Sequence, residues 1–123
     1  MPCQLEFTDR DAFLQVDARG SIDNFEDLAG YVEAVLAEAE RLGSKCILLQ
    51  EQELTGHATC FDAVILSKRL TESLNGFPRR RVAVVCAQDN RPVARTFETV
   101  LLNRGFRYRM FTDVKSASHW LTA

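Results

Sequence analysis

Residues 45–50, KCILLQ, form a short apolar run with no polar break after Lys45. A run of this kind suits a strand covered on both faces, as strands of a parallel sheet are. A second such run, RVAVVC, occupies residues 81–86. Between two parallel strands the chain must cross over, and crossovers are nearly always right-handed and helical. These two stretches therefore decide the fold class, and the rest of the chain is read around them.

After the first run, LLQEQELTGHATCFDAV (48–64) passes through a polar stretch holding His57, Thr59 and Cys60 and enters a helix. The expected loop covers 51–60. The helix covers 60–75, with Thr59 as N-cap and Asp62 three residues on. Upstream, residues 24–42 carry Phe25, Leu28, Ala29, Val32, Val35, Leu36, Ala39 and Leu42 at three- and four-residue steps, one apolar stripe. Asn24 caps that helix and Gly43 stops it. Residues 4–8 and 12–18 alternate polar and apolar on either side of a DRD turn, a hairpin. LNGFP (74–78) is a loop.

Downstream, Asn90 and Pro92 mark a third helix start, with Val93, Phe97, Val100 and Leu101 inward and Gly105 as the stop. FRYRMF (106–111) is a one-sided edge strand with Phe106, Tyr108 and Met110 on one face. Thr112 or Asp113 caps a closing helix docked by Trp120. The expected fold is α/β: one domain over 1–123, with a mixed, mainly parallel sheet of five strands and four helices in the order β-β-α-β-α-β-α-β-α.

Composition agrees with a globular domain: 46% hydrophobic and 26% charged residues in 123. No stretch approaches the roughly 18 apolar residues of a membrane span. The start, MPCQLEFTDRD, lacks a basic region followed by an apolar core, so the expected compartment is the cytoplasm. Cys3, Cys46, Cys60 and Cys86 form no C-x-x-C pair, and His57 and His119 lie far apart in sequence. Reduced thiols and no zinc site are the expectation. Residues 1–62 hold 13 acidic and 4 basic side chains, net −9, and residues 63–123 hold 4 acidic and 11 basic, net +7.

The pattern resembles the SpoIIAA-like domains of the STAS superfamily, which includes anti-sigma-factor antagonists and the cytoplasmic tails of sulfate transporters. The residues that carry the resemblance are the N-terminal hairpin leading to the helix from Asn24, CILLQ…LTGHATCFDAV, RRRVAVVC, and FRYRMFTDVKSASHWL. The last piece is similar to SEC14-type members in particular. The resemblance implies a regulatory or binding domain without enzymatic activity. Antagonist members carry a phosphorylatable serine just before the second helix. Here that place reads Gly56-His57-Ala58-Thr59-Cys60, without serine. Thr59 is the remaining phosphate acceptor, Thr55 a lesser one, and the capping role accounts for Thr59 by itself.

In open parallel sheets, ligands collect beyond the carboxyl ends of the strands. Gln50, Glu51, His57, Thr59 and Cys60 gather there from one connection, and Gln88, Asp89, Asn90 and Arg91 from the next. Free N–H groups at the two helix starts suit a small anion such as a nucleotide or phospholipid headgroup, although no Gly-rich loop cradles phosphate. The main expectation is a binding or regulatory module working through 51–60 on a protein partner or small anionic ligand, with no cofactor and no nucleic acid. A thiol enzyme using Cys60 with His57 is the first alternative. A small-ligand or lipid carrier is the second, and 123 residues leave little room for the enclosed apolar pocket it needs. Arg79, Arg80 and Arg81 are expected as solvated side chains at a strand entrance. The 60–75 helix shows two apolar faces, Phe61, Val64 and Ile65 against Ala63, Leu66, Leu70 and Leu74, which suggests a homodimer through one of them.

Overall fold

The fold is that of a computed structural model, which describes residues 3–56, 59–73 and 80–123, the side chains of Cys60 and of 71–73 excepted. The expected loop at 74–78 lies outside the described residues, as does Arg79. Strand β1, Cys3–Asp9, pairs antiparallel with β2, Leu14–Ile22. The turn between them closes with the Arg10 N–H donating to the Phe13 carbonyl, while Asp11 takes a positive φ of 62°. Asp tolerates that left-handed geometry because its short polar side chain bonds locally.

Helix α1, Phe25–Leu42, begins on a reciprocal cap. The Asp27 N–H donates to the Asn24 side chain at 2.8 Å, and the Asp27 carboxylate accepts from the Asp23 N–H at 3.1 Å. It ends at Gly43, whose φ of 67° lets the Ser44 N–H reach back to the Ala39 carbonyl at 2.9 Å. Gly105, φ 85°, ends a later helix in the same way, with the Phe106 N–H donating to the Leu101 carbonyl.

Strand β3, Cys46–Gly56, helix α2, Cys60–Ser73, and strand β4, Arg81–Cys86, follow. A single 3-10 turn, Gln88–Asn90, leads into α3, Arg91–Asn103, then β5, Arg107–Phe111, and α4, Val114–Thr122. The strands lie side by side in chain order, β1-β2-β3-β4-β5, all parallel after the hairpin. The five strands, four helices and their order are those read from the sequence. Residues 81–86 form an interior strand, with β3 at the centre.

This order settles where the helices go. Each crossover steps one strand in the same direction, and right-handed crossovers that never reverse must all lie on one face. Thus α1, α2 and α3 cover one face, packing Leu36, Leu66 and Phe97 on Ile47, Leu49 and Val84. Only α4, which has no following strand, crosses to the other face. There Ala117 and Leu121 bury Leu48, Ala83 and Val85, and the Trp120 ring lies 5.6 Å from Phe111, tilted by 47°. The two apolar runs at 45–50 and 81–86 are continuous because both strands are covered twice.

Arg80 and Arg81 depart from the expectation of solvated side chains. Arg80, 12% exposed, pairs with Glu40 at 2.8 Å and donates to the Ser44 carbonyl at 2.9 Å, tying down the end of α1. Arg81 lies 5.8 Å from the centre of the Trp120 ring and donates to the Trp120 and Ala123 carbonyls, both at 3.0 Å. Arg81 finds carbonyls left bare by the end of α4 and Arg80 a carbonyl just past the Gly43 stop, partners that a reading of the run by itself does not supply.

Candidate functional site

Of the loop expected over 51–60, residues 51–56 are strand instead. β3 continues to Gly56, because β2 also continues, to Ile22, and pairs with it from Arg19↔Glu53 to Ile22↔Gly56. Between Asp17↔Gln50 and Arg19↔Glu53, β3 spends one residue more than β2, a β-bulge. A bulge resets the alternation of side chains. Glu51 follows Ile47 and Leu49 on the three-helix face, and Leu54 returns to that face, 7% exposed, where strict alternation would turn it away. Gly56 sits close to β2: a Cβ there would stand 3.1 Å from the Ile22 carbonyl oxygen and 3.2 Å from its Cβ, so a larger residue would press on Ile22.

The sites read from the sequence are therefore divided. Gln50 shares the α4 face with Leu48 by alternation, and Glu51 takes the opposite face. Gln88 and Asp89 are exposed on the 3-10 turn. Asn90 does not cap α3 with its side chain; its Nδ2 donates to the Leu54 carbonyl at 2.8 Å and fastens the α3 start to the end of β3. The Arg91 Nε is buried without a hydrogen-bond partner among the described residues. Thr59 and Asp62 form the expected cap reciprocally: the Asp62 N–H donates to Thr59 Oγ1 at 3.2 Å and the Thr59 N–H to the Asp62 carboxylate at 2.9 Å. His57 and the side chain of Cys60 lie outside the described residues, and with them the thiol pairing. Among the described residues no cluster of His, Cys, Asp or Glu suits a metal ion.

Under the three helices lies a cavity of about 130 Å³. It is partly open to solvent, and so is not the enclosed apolar pocket for which so short a chain was expected to leave little room. The space exists because α1, α2 and α3 all lean on one face and meet over its middle. Leu28, Val35 and Leu36 of α1, Leu66 and Leu70 of α2, and Ala94 and Phe97 of α3 form its roof. Its floor includes Ile47, Leu49 and Val82. Most of the polar groups sit toward the carboxyl edge, Glu51, Tyr31, Asn90 and Thr55, while Tyr108 lines the cavity from the start of β5, level with Val82.

Glu51 dominates that end. Its Oε2 accepts a 2.6 Å hydrogen bond from the Tyr31 hydroxyl. Burial raises its pKa from 4.5 to about 7, against the Tyr31 bond, which lowers it. Burial and the Glu51 charge together push the Tyr31 and Tyr108 hydroxyls well above the usual tyrosine range. Burial, then the Glu51 charge, also raises the Cys3 and Cys86 thiols. Glu51 belongs to the set read from the sequence; Tyr31 does not. Its signal is its spacing, three residues after Leu28 and four before Val35, on the buried stripe of α1.

At the start of α2 the surface is apolar. Ala63, Leu66 and Leu70 form the inward face, while Phe61 is 70% exposed and Val64 and Ile65 are partly so. Phe61 does not bring the helix start against the core.

Two solved structures share the whole architecture. An anti-sigma factor antagonist from Mycobacterium paratuberculosis superposes with a TM-score of 0.61 at 14% identity, over 98% of this chain and 95% of that one. An uncharacterized protein with a SpoIIAA-like fold from Shewanella loihica does so with a TM-score of 0.53 at 17% identity, over 97% and 93%. The chain has a SpoIIAA-like fold. No protein-family profile matches the sequence, and no curated protein matches it.

Proposed function

We propose that this SpoIIAA-like chain is a non-enzymatic regulatory module of the cytoplasm, working as a single domain that binds a protein partner through the start of α2. The observation that carries the proposal is Phe61, a large apolar ring 70% exposed beside a rigid double cap. An uncovered aromatic fixed on a helix is the kind of anchor that dominates protein interfaces. Val64 and Ile65 extend the patch along the helix. The fold's occurrence in an anti-sigma factor antagonist supports a protein as the partner. The contact region proposed here is 59–66, since 51–56 belong to the sheet. Thr59 serves as a cap in this reading, without phosphorylation.

The test is affinity purification from the source organism with the wild-type chain and with Phe61→Asp. The expected result is a protein retained by the wild type and lost with the variant, while both melt alike. Identical retention by the two would remove α2 from the account. The thiol alternative is separated by iodoacetamide labelling across pH: a Cys60 that reacts as an ordinary thiol leaves no activated nucleophile. A second reading, small-ligand binding, is favoured by the apolar cavity with its single carboxyl.

A further inference from the structure

We propose that the cavity beneath α1, α2 and α3 binds a compact, uncharged ring molecule bearing one hydroxyl, which donates a hydrogen bond to Glu51. The inference rests on the small-ligand reading and concerns a different place from the α2 surface.

Size sets the first limit. About 130 Å³ approaches the roughly 150 Å³ of an apolar cavity known to take up benzene. That is space for a substituted ring. The walls set the second limit. Leu36, Leu66, Leu70 and Phe97 offer dispersion contacts and no hydrogen bonds, so the ligand's body must be apolar.

The polar end sets the third. Tyr31 occupies Oε2 of Glu51, which leaves the other carboxylate oxygen to accept from a ligand. A small anion, one of the ligands expected at this edge, would meet that carboxyl, and the described lining holds no Lys, Arg or His to receive it. An ammonium would have to shed its water into apolar walls. A hydroxyl needs neither sacrifice.

The groups that face Glu51 are Tyr31 from α1, Cys3 from β1, Cys86 from β4 and Tyr108 from β5. Asp27 acts on Cys3, Glu98 on Tyr108 and Arg91 on Cys86. The four facing groups have raised pKa values and stay neutral near pH 7, so Glu51 is the group whose charge changes there. A hydroxyl bonds more strongly to a carboxylate than to a carboxylic acid. Affinity therefore rises as pH passes upward through about 7.

The experiment is titration of the full chain with benzene, phenol, benzoate and decanoate, followed by amide NMR shifts of cavity residues at pH 8. Phenol is expected to bind about tenfold more tightly than benzene, the worth of one hydrogen bond to a charged group. Benzoate and decanoate are expected to bind more weakly than phenol. Glu51→Ala should abolish the preference for phenol while benzene still binds. Ala94→Leu should fill the space and abolish both; if it does not fold, Leu36→Phe from the opposite side of the roof makes the same test. Equal binding of benzene and phenol by the wild type would overturn the hydroxyl class and leave the small-ligand reading standing. Decanoate binding tightest would replace it with lipid carriage. No shift with any of the four would remove the small-ligand reading as well.

Discussion

Glu51 holds its proton longer in the folded chain than in the unfolded one, and the consequence for stability has a definite sign. Its carboxyl ionises near 4.5 when unfolded and about 7 when folded. The stability linked to it is full below pH 4.5, declines as pH rises from 4.5 to 7, and is lost above that. The loss is about 3 kcal/mol at most, taking 1.36 kcal/mol per pKa unit. Glu38, bonded by Arg41, and Asp113, bonded by Ser116, shift downward instead. What they contribute is present above their unfolded values and lost as pH falls through the lowered ones, so their window lies below that of Glu51. Urea unfolding at pH 5 and pH 8 should find the wild type less stable at pH 8, and Glu51→Gln should flatten the difference. Equal wild-type stability at the two pH values contradicts the buried carboxyl. Tyr31→Phe removes the bond that holds the Glu51 pKa down, so an NMR titration of the carboxyl should find its midpoint moved up; an unmoved midpoint would dissolve the pair.

Helix ends account for much of the order between elements. α4 has nine residues, too short to persist in isolation, and depends on docking. Ala117 and Leu121 buried on the sheet, Trp120 packed against Phe111 and Arg81 bonded to its last carbonyls hold it. Arg81→Ala should cost about 1–2 kcal/mol, as charged hydrogen bonds to backbone do, and hydrogen exchange should quicken over 114–122 first. Exchange unchanged there would mean that the apolar contacts of Ala117, Trp120 and Leu121 anchor the helix without Arg81. Thr59→Ala should cost about 1 kcal/mol through loss of the α2 cap, read by chemical denaturation. The caps at Asn24, Thr59 and Asp113 were legible in the sequence because a cap is a local bond, made three residues away. The apolar runs at 45–50 and 81–86 were legible because coverage on both faces leaves no alternation. The end of β3 was not. Gln52, Glu53 and Thr55 look like a loop, and their strand conformation depends on β2 running to Ile22 beside them and on a bulge that restores Leu54 to the core. The partners of Arg80 and Arg81, 40 and 39 residues distant, are likewise matters of topology. Of the candidate site, Glu51 and Asn90 were visible as polar residues at strand and helix boundaries. The cavity was not, since it arises from three helices sharing one face.

A sheet whose strands lie in chain order carries any asymmetry of the sequence into space. The acidic first half builds β1, β2 and α1, and the basic second half builds β4, α3 and β5 at the other edge. Glu26, Glu33, Asp9 and Asp11 are exposed on one side, and Arg95, Arg104, Arg107 and Arg109 on the other. The β5 edge is also guarded against pairing with another strand: the Glu98 carboxylate accepts from the Met110 N–H at 2.7 Å. Two copies are therefore expected to associate through helix faces aided by opposite charge, as a homodimer that weakens when salt rises from about 50 to 500 mM. A monomer by sedimentation at both salt levels contradicts the dimer, and a dimer indifferent to salt contradicts the role of charge. A protein partner met at the start of α2 would shield that segment from solvent. Hydrogen exchange followed by mass spectrometry, on the chain alone and in complex with the protein retained through Phe61, tests it most directly. Protection is expected to concentrate in 59–66, with α4 and the β5 edge unchanged. Protection confined to α4 or β5, with 59–66 exchanging as in the free chain, would contradict it.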